Sequence, residues 1–255
     1  MTPQHLAAFI DHTKLTFSAQ ENVSQESKEQ AILNLCTEAR EYGFKAVCIR
    51  PAFIPLAKQA LADSPILVAT VVGFPHSKQL LKEEKKQPSI GSLPFEEKFE
   101  ECRQALLDEA DEIDFVMNVA QFKSDDREKK QETLEEFRKI RTLCGRMPVK
   151  VIIETDLLSP AEIRQATLFC AEAEVAMVKT STGMLEGGLG ACAEVVSLIQ
   201  ETLADFAGFR PNAPRLGIKA SGGIKTRPQV EAFIMAGATR IGTSSGVTIL
   251  SEEKL

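Results

Sequence analysis

One stretch of the chain displays the pattern on which the fold assignment rests: Val175-Ala176-Met177-Val178-Lys179-Thr180-Ser181-Thr182-Gly183. It begins as a short apolar run of the kind that forms a buried strand. It ends in a lysine and passes into a loop of hydroxyl-bearing residues and glycine. A strand that carries a charged side chain to its carboxyl end, ahead of such a loop, is typical of the active face of a parallel α/β fold.

The same alternation of apolar runs and amphipathic stretches extends along the chain in both directions. Further apolar runs lie at residues 9–10, 46–49, 66–72, 113–117, 149–153, 216–218 and 241. Helical periodicity lies between them, at residues 28–42, 51–62, 95–110, 128–144, 160–172, 189–204 and 228–236. About eight strands, most of them followed by a helix, predict an α/β fold: a (β/α)8 TIM barrel formed as a single domain by residues 1–255. An open doubly wound sheet is the alternative, although no Gly-x-Gly-x-x-Gly motif opens the chain.

The segment from His76 to Pro94 departs from the regular pattern. It is polar, rich in lysine and long for a strand-to-helix connection. We interpret it as an extended loop at about 76–94. It is either an inserted surface loop or a flap over the site.

Composition and charge exclude several classes of protein. A net charge of −6 without a concentrated basic face argues against nucleic acid as a partner. No apolar segment approaches the roughly 20 residues of a membrane span, and no secretory signal opens the chain. The cysteines are scattered without a C-x-x-C pair, which argues against a structural zinc site and favours reduced thiols in the cytoplasm.

The strand that contains Asp114 shows an unusual distribution of charge. Within residues 112–119 the odd-numbered positions are apolar, whereas the even-numbered ones, which include Glu112 and Asp114, are mostly polar. Alternate side chains of a strand point to opposite faces, so the polar set faces the barrel interior. A buried carboxylate is costly unless it is paired or functional. Asp114 is therefore a candidate active-site residue.

Two lysines, Lys179 and Lys219, end apolar runs and precede loops of small residues. A lysine attacks a carbonyl only as the neutral amine, which is scarce at an unperturbed pKa of about 10.4. A second cation nearby, together with desolvation, lowers that pKa. The protonated imine then accepts the electrons of an adjacent C–C bond, while a carboxylate such as Asp114 moves protons. The pattern predicts a lyase that acts through a Schiff base.

Glycine and hydroxyl side chains cluster in the loops that follow the last strands. The members of this group are Thr182, Gly183, Gly222, Gly223, Ser244 and Ser245. Glycines let backbone N–H groups approach a phosphate, and hydroxyls add further donors. Loops after strands seven and eight of a barrel often form a phosphate site. We therefore expect a substrate that carries one phosphate.

The motifs taken together resemble the deoxyribose-phosphate aldolase family, in order and over nearly the whole chain. They are Ile10-Asp11-His12-Thr13, Val47-Cys48-Ile49-Arg50-Pro51, Val72-Gly73-Phe74-Pro75-His76, Asp111-Glu112-Ile113-Asp114, Lys150-Val151-Ile152-Ile153-Glu154-Thr155, Val178-Lys179-Thr180-Ser181-Thr182-Gly183, Ile218-Lys219-Ala220-Ser221-Gly222-Gly223-Ile224 and Gly242-Thr243-Ser244-Ser245. The resemblance implies a class I aldolase that uses no metal and no cofactor. Its reaction is the reversible cleavage of 2-deoxy-D-ribose 5-phosphate to acetaldehyde and D-glyceraldehyde 3-phosphate.

The resemblance also implies roles for single residues. Lys179 forms the Schiff base, Lys219 perturbs it, and Asp114 donates and accepts protons. The six glycine and hydroxyl positions named above hold the phosphate and nearby hydroxyls, and three more residues line the same mouth: Asp11, Thr13 and Cys48. The implied partner is a small phosphorylated sugar, and the implied assembly is a homo-oligomer, either a dimer or a tetramer.

Two departures from the family pattern bear on function. Met184 stands where some members carry a lysine. Some members also use a tyrosine near the carboxyl terminus in proton transfer, whereas the sole tyrosine of this sequence is Tyr42. Three alternatives stay open at this point. They are an aldolase for another phosphorylated aldose or ketose, a sugar-phosphate isomerase without covalent chemistry, and a binding barrel without activity. The last conflicts with retained buried charges, which cost stability when idle.

Overall fold

The structure of the chain, a computed structural model, describes residues 1–17, 24–76, 79–80, 90–91 and 93–251. Most of the extended loop expected at 76–94 lies outside the described residues, as do residues 252–255. The two interpretations of that loop therefore stay predictions.

A closed barrel of parallel strands forms the centre of the molecule, in the order β1-β10-β9-β7-β6-β5-β3-β2. The strands in chain order are β1 (Ile10–Lys14), β2 (Ala46–Ile49), β3 (Leu67–Val72), β4 (Gln79–Leu80), β5 (Glu112–Val116), β6 (Val149–Ile152), β7 (Met177–Lys179), β8 (Leu185–Glu186), β9 (Gly217–Ser221) and β10 (Arg240–Thr243). Strands β4 and β8 pair with each other in a separate two-stranded sheet.

Helices follow most of the barrel strands. They are α1 (Pro3–Ala7), α2 (Gln25–Tyr42), α3 (Ile54–Ala60), α4 (Phe95–Leu107), α5 (Val119–Phe122), α6 (Arg127–Cys144), α7 (Pro160–Glu172), α8 (Ala193–Phe209), α9 (Arg227–Met235) and α10 (Gly246–Ser251), with 3-10 turns at Pro51–Phe53 and Thr155–Leu157. In the described part of the chain, no helix combines the length and the apolar character that crossing a membrane requires.

The predicted TIM barrel is confirmed, and the bounds of β2 and α7 match the sequence pattern. Helix α7 begins at Pro160, and Ser159 and Glu162 close a capping box around its first turn. The helix expected from residue 189 begins later, at Ala193. The reason is local, because Gly187 and Gly190 have φ values of 79° and 71°, which are incompatible with a right-handed helix.

The register of the barrel brings charged side chains together in its interior. Lys179 of β7 is paired with Lys219 of β9, and Lys219 is paired with Arg240 of β10. Asp114 of β5 is paired with Lys150 of β6. Paired residues on neighbouring strands point to the same face of the sheet. Side chains that are far apart in the chain therefore converge inside the barrel.

Strand β5, which carries Asp114, is anchored to helices α4 and α6 by a buried ion pair. Lys98 Nζ donates to Glu136 Oε1 at 3.0 Å and to the Val116 carbonyl oxygen at 3.1 Å. The same nitrogen lies 4.9 Å from the centre of the Phe115 ring. Burial lowers the pKa of Lys98, against the opposing effect of Glu136. The pair thus joins both helices to the strand that bears the central carboxylate.

We expect Lys98→Met to lower the free energy of unfolding by about 3–5 kcal/mol, because Glu136 is left buried without its cation. Urea denaturation followed by circular dichroism measures this loss. The matched variant Lys98→Met/Glu136→Leu removes both charges and should recover most of the stability. Equal or larger destabilisation in the double variant would show that the pair is not an interacting unit.

Candidate active site

Asp114 is the centre of the charged cluster inside the barrel. Its Oδ2 accepts hydrogen bonds from Lys179 Nζ and Lys219 Nζ, each at 2.7 Å, and its Oδ1 accepts from Lys150 Nζ at 2.8 Å. Burial alone would raise the pKa of Asp114, but the three ammonium groups hold it well below its usual range. Asp114 is therefore ionised and able to accept a proton.

Lys219 lies between two carboxylates. Its Nζ donates to Asp11 Oδ2 at 2.5 Å as well as to Asp114. Burial would lower the pKa of Lys219, but Asp11 and Asp114 outweigh burial and hold that pKa above its usual range. The nitrogens of Lys219 and Lys179 contact the same oxygen, so they are separated by no more than twice the 2.7 Å contact distance. A permanent ammonium thus lies beside Lys179.

A second layer of charges supports this centre from below. Arg240 donates to Asp11 Oδ1 at 2.7 Å and to the two oxygens of Glu112 at 3.0 and 3.1 Å. Lys150 Nζ lies 2.7 Å from Glu112 Oε2. Asp11 is completely buried, and the surrounding cations lower its pKa against the effect of burial. The layer fixes the orientation of the groups that contact Asp114.

The cluster carries more positive than negative groups. Among the residues that the structure describes, it joins the cations Lys150, Lys179, Lys219 and Arg240 to the carboxylates Asp11, Glu112 and Asp114. Each of the other cations contacts two of these carboxylates, whereas Lys179 contacts Asp114 alone. Lys179 is therefore the cation whose charge the cluster neutralises least.

A cavity of about 320 Å³ opens above Lys179, and no other member of the cluster lines it. The expected residues on its wall are Thr13, Thr182, Gly183, Gly222, Gly223, Ser244 and Ser245. Thr13 lies at the end of β1, and the others come from the loops after β7, β9 and β10, at the same mouth of the barrel. The structure therefore brings the expected hydroxyl and glycine positions together around Lys179.

Two residues expected at the mouth lie deeper in the barrel. Asp11 contacts Lys219 and Arg240 beneath the cavity. Cys48 is also completely buried, with its Sγ 3.9 Å from Asp114 Oδ2. Burial raises the pKa of the Cys48 thiol, so it stays protonated. Direct contact of either residue with a ligand stays a prediction.

Sequence reasoning missed several residues of the site. Lys14, Phe74 and Lys225 also line the cavity. Lys14 and Lys225 each directly follow a motif already assigned to the mouth, so extending those motifs by one residue would have found them. Arg240 begins its strand, and no sequence signal separates it from an ordinary surface arginine.

The loop after β8 is held against the cavity wall by Asp156. Its carboxylate accepts hydrogen bonds from Leu189 N at 3.2 Å and from Gly190 N at 2.9 Å. Ala191 N donates to the Gly222 carbonyl oxygen at 3.1 Å. A Cβ added at Gly190 would lie 2.4 Å from that oxygen. Gly190 therefore permits the approach of backbone to backbone that positions Gly222.

Carboxylate and imidazole groups in this region do not form a metal site. Throughout the described ranges, no group of three His, Cys, Asp or Glu side chains is arranged to hold a metal ion.

An amine beside a fixed ammonium and an ionised carboxylate, at the mouth of a (β/α)8 barrel, is the arrangement of a lysine-dependent aldolase. The family model for DeoC/LacD family aldolases matches residues 8–252. The chain belongs to this aldolase family.

Known relatives are similar over almost their full lengths. A deoxyribose-phosphate aldolase from Mannheimia succiniciproducens is 39% identical over 250 residues, which cover 98% of this chain and 96% of the relative. The tetrameric deoxyribose phosphate aldolase from Aeropyrum pernix is 26% identical with a TM-score of 0.77, covering 98% of this chain and 91% of that one. Another solved aldolase is 33% identical with a TM-score of 0.73, covering 95% and 92%.

We expect Gly190→Ala to destabilise the protein by about 1–3 kcal/mol, because the added methyl group forces Gly222 to move. Urea denaturation measures the difference. Gly208→Ala is the matched control, since a Cβ there has nothing within 4 Å and the position is helical. It should leave stability unchanged or raise it by up to about 1 kcal/mol. Equal stabilities for the two variants would contradict the close approach.

Proposed function

We propose that the chain catalyses the reversible cleavage of 2-deoxy-D-ribose 5-phosphate to acetaldehyde and D-glyceraldehyde 3-phosphate, as a class I aldolase. The observation that carries the proposal is that Lys179 and Lys219 share one oxygen of Asp114 directly beneath the cavity. The name and full-length similarity of the Mannheimia succiniciproducens relative support the same substrate.

The first step uses Lys179 as the nucleophile. Asp114 offers one negative charge to three ammonium groups, and Lys219 is held charged by two carboxylates. In this proposal Lys179 reacts in its neutral form, because only the neutral amine is a nucleophile. The amine adds to the C1 carbonyl carbon of the open-chain sugar. Hydroxide then leaves the addition product, takes up a proton from solvent to become water, and leaves a protonated imine.

The second step breaks the bond between C2 and C3. Asp114, directly or through a water molecule, accepts the proton of the C3 hydroxyl, and C3 becomes the aldehyde carbon of glyceraldehyde 3-phosphate. The bonding electrons move into the imine and give an enamine. Because the ammonium groups keep the pKa of Asp114 well below its usual range, Asp114 passes the proton on readily. Protonation of C2 and hydrolysis release acetaldehyde and regenerate Lys179.

In this proposal the phosphate binds against the glycine-rich loops of the cavity wall. Gly183, Gly222 and Gly223 have positive φ values, which turn backbone toward the ligand without a side chain in the way. Lys14 and Lys225 add two cations to the same wall. They compensate for Met184, which lines the cavity where some family members carry a lysine.

Assembly and location form a further part of this proposal. We propose a homo-oligomer, either a dimer or a tetramer, working in the cytoplasm. The tetrameric relative from Aeropyrum pernix supports an oligomer. All six cysteines are free thiols in the structure, as is usual in a reducing compartment.

Treatment with acetaldehyde and borohydride should convert Lys179 to a stable secondary amine, because borohydride reduces the imine. Peptide mass spectrometry locates the modified residue. Lys179→Arg is the control, because it keeps the charge and cannot form the imine. A labelled lysine elsewhere in the chain, with Lys179 unmodified and full activity, would contradict the mechanism.

Lys219→Leu should lower kcat about 100-fold or more and change KM far less, because it removes the ammonium that disfavours charge on Lys179. Steady-state kinetics from pH 6 to 10 should also show the optimum moving to higher pH. Lys219→Arg keeps the charge and should retain more of the turnover. Equal losses in kcat for both variants, with an unmoved optimum, would count against the electrostatic role.

A further inference from the structure

Glu154 is a buried carboxyl group that the steps described above do not use. It follows β6 at the mouth of the barrel, and its side chain is 0% exposed. Its φ of 55° lies in the left-handed region, which residues other than glycine seldom adopt. Such strain is concentrated at functional sites. The residue therefore calls for an explanation beyond packing.

The carboxyl group of Glu154 is directed at Thr182 on the cavity wall. Thr182 N lies 3.2 Å from each carboxyl oxygen, and Thr182 Oγ1 donates to Glu154 Oε2. Thr182 Oγ1 in turn accepts from Met184 N at 3.0 Å. Within the described ranges, no ion pair reaches Glu154. The hydrogen bonds between Glu154 and Thr182 therefore fix the loop that carries Gly183, but they do not neutralise a charge on Glu154.

Both protonation states of Glu154 are accessible near neutral pH. Burial raises its pKa to about 7, and the bonds from Thr182 oppose that rise. The charged groups that face it are Asp156, on the same loop, which raises the pKa, and Lys179, on β7, which lowers it. A negative charge placed in the adjoining cavity would raise that pKa further.

The protonation state of Glu154 decides what Thr182 presents to a ligand. A threonine hydroxyl has a single hydrogen to donate. When Glu154 is ionised, the Thr182 hydroxyl donates that hydrogen to the carboxylate, so Thr182 Oγ1 can only accept a hydrogen bond from a ligand in the cavity. When Glu154 is protonated, it can donate to Thr182 Oγ1, and the Thr182 hydrogen is released toward the ligand. An anionic ligand favours the protonated form of Glu154 for two reasons. The ligand gains a hydrogen bond from the Thr182 hydroxyl, and it is no longer repelled by a negative charge on Glu154.

We propose that Glu154 is a positioning residue that takes up a proton when a phosphomonoester binds, and so converts the Thr182 hydroxyl into a donor to the ligand's anionic group. This inference rests on the proposed function, because it assumes a phosphorylated substrate in the cavity. Glu154 would thus help to select ligands by their charge, although it reaches the ligand only through Thr182. The result is a binding site whose affinity for a dianion falls as the pH rises above neutrality.

The test uses glycerol 3-phosphate, which has no carbonyl group and cannot form an imine. Calorimetric titrations at pH 8, in buffers of different ionisation enthalpy, count the protons taken up on binding. The ligand is already a dianion at this pH. Wild-type protein should take up about 0.5–1 proton more than Glu154→Gln, whose amide donates to Thr182 at every pH. Above pH 7 the wild-type affinity should fall up to about tenfold per pH unit, and that of the variant much less.

Two further variants isolate the role of the hydroxyl. Thr182→Val removes the hydrogen that is to be released, so proton uptake should fall and Glu154→Gln should no longer change the pH dependence in that background. Asp156→Asn keeps an oxygen that can accept from Leu189 N and Gly190 N and leaves Thr182 unchanged, so proton uptake should persist although the pKa of Glu154 falls. If Glu154→Gln does not fold, the comparison of wild type with Thr182→Val tests the same release.

Three outcomes separate this inference from the function on which it rests. Equal proton uptake and equal pH dependence in wild type, Glu154→Gln and Thr182→Val would overturn the role of Glu154 while leaving the phosphate site intact. Failure of the wild type to bind glycerol 3-phosphate would instead overturn the phosphate ligand itself. Labelling of Lys179 by acetaldehyde in Glu154→Gln shows that the rest of the site is formed.

Discussion

One carboxylate shared by three ammonium groups holds the charged interior of the barrel together. Asp114 is completely buried, and it contacts Lys150, Lys179 and Lys219 within 2.8 Å. A buried charge is tolerated only when paired, so the barrel must close in one register to bring these strands together. The same sharing leaves the positive charges incompletely neutralised. In the proposed mechanism, the stability of the fold and the reactivity of Lys179 therefore have a common origin.

The charges are arranged in layers along the barrel axis. Arg240 and Glu112 form the bottom layer, Asp114 and Lys219 form the middle layer, and Lys179 reaches the cavity. Apolar neighbours of Lys179, such as Phe74, whose ring centre lies 6.0 Å from the lysine nitrogen, limit its solvation. In the proposed reaction this arrangement separates the two ends of the substrate, because Lys179 and the glycine-rich loops line different parts of the cavity.

The sequence was sufficient to predict the barrel, because strand runs and helical periodicity are local signals. The parity of β5 pointed to Asp114, and the strand ends pointed to Lys179 and Lys219. Contacts between segments that are distant in the sequence could not be predicted from it. The bonds of Arg240 to Asp11 and of Glu154 to Thr182 depend on register and loop geometry, and no local pattern encodes them. The start of α8 was predicted too early for a related reason, since the amphipathic spacing extends back through Gly190, whose φ value is incompatible with a right-handed helix.

Asp114 is ionised and Lys219 is an ammonium in the resting protein. A neutron crystal structure of the deuterium-exchanged protein at neutral pH reports this charge state, because it locates deuterons on these groups. We expect three deuterons on Lys219 Nζ and none on either oxygen of Asp114. A deuteron on Asp114, with a neutral amine at Lys219, would show that the charges are distributed differently.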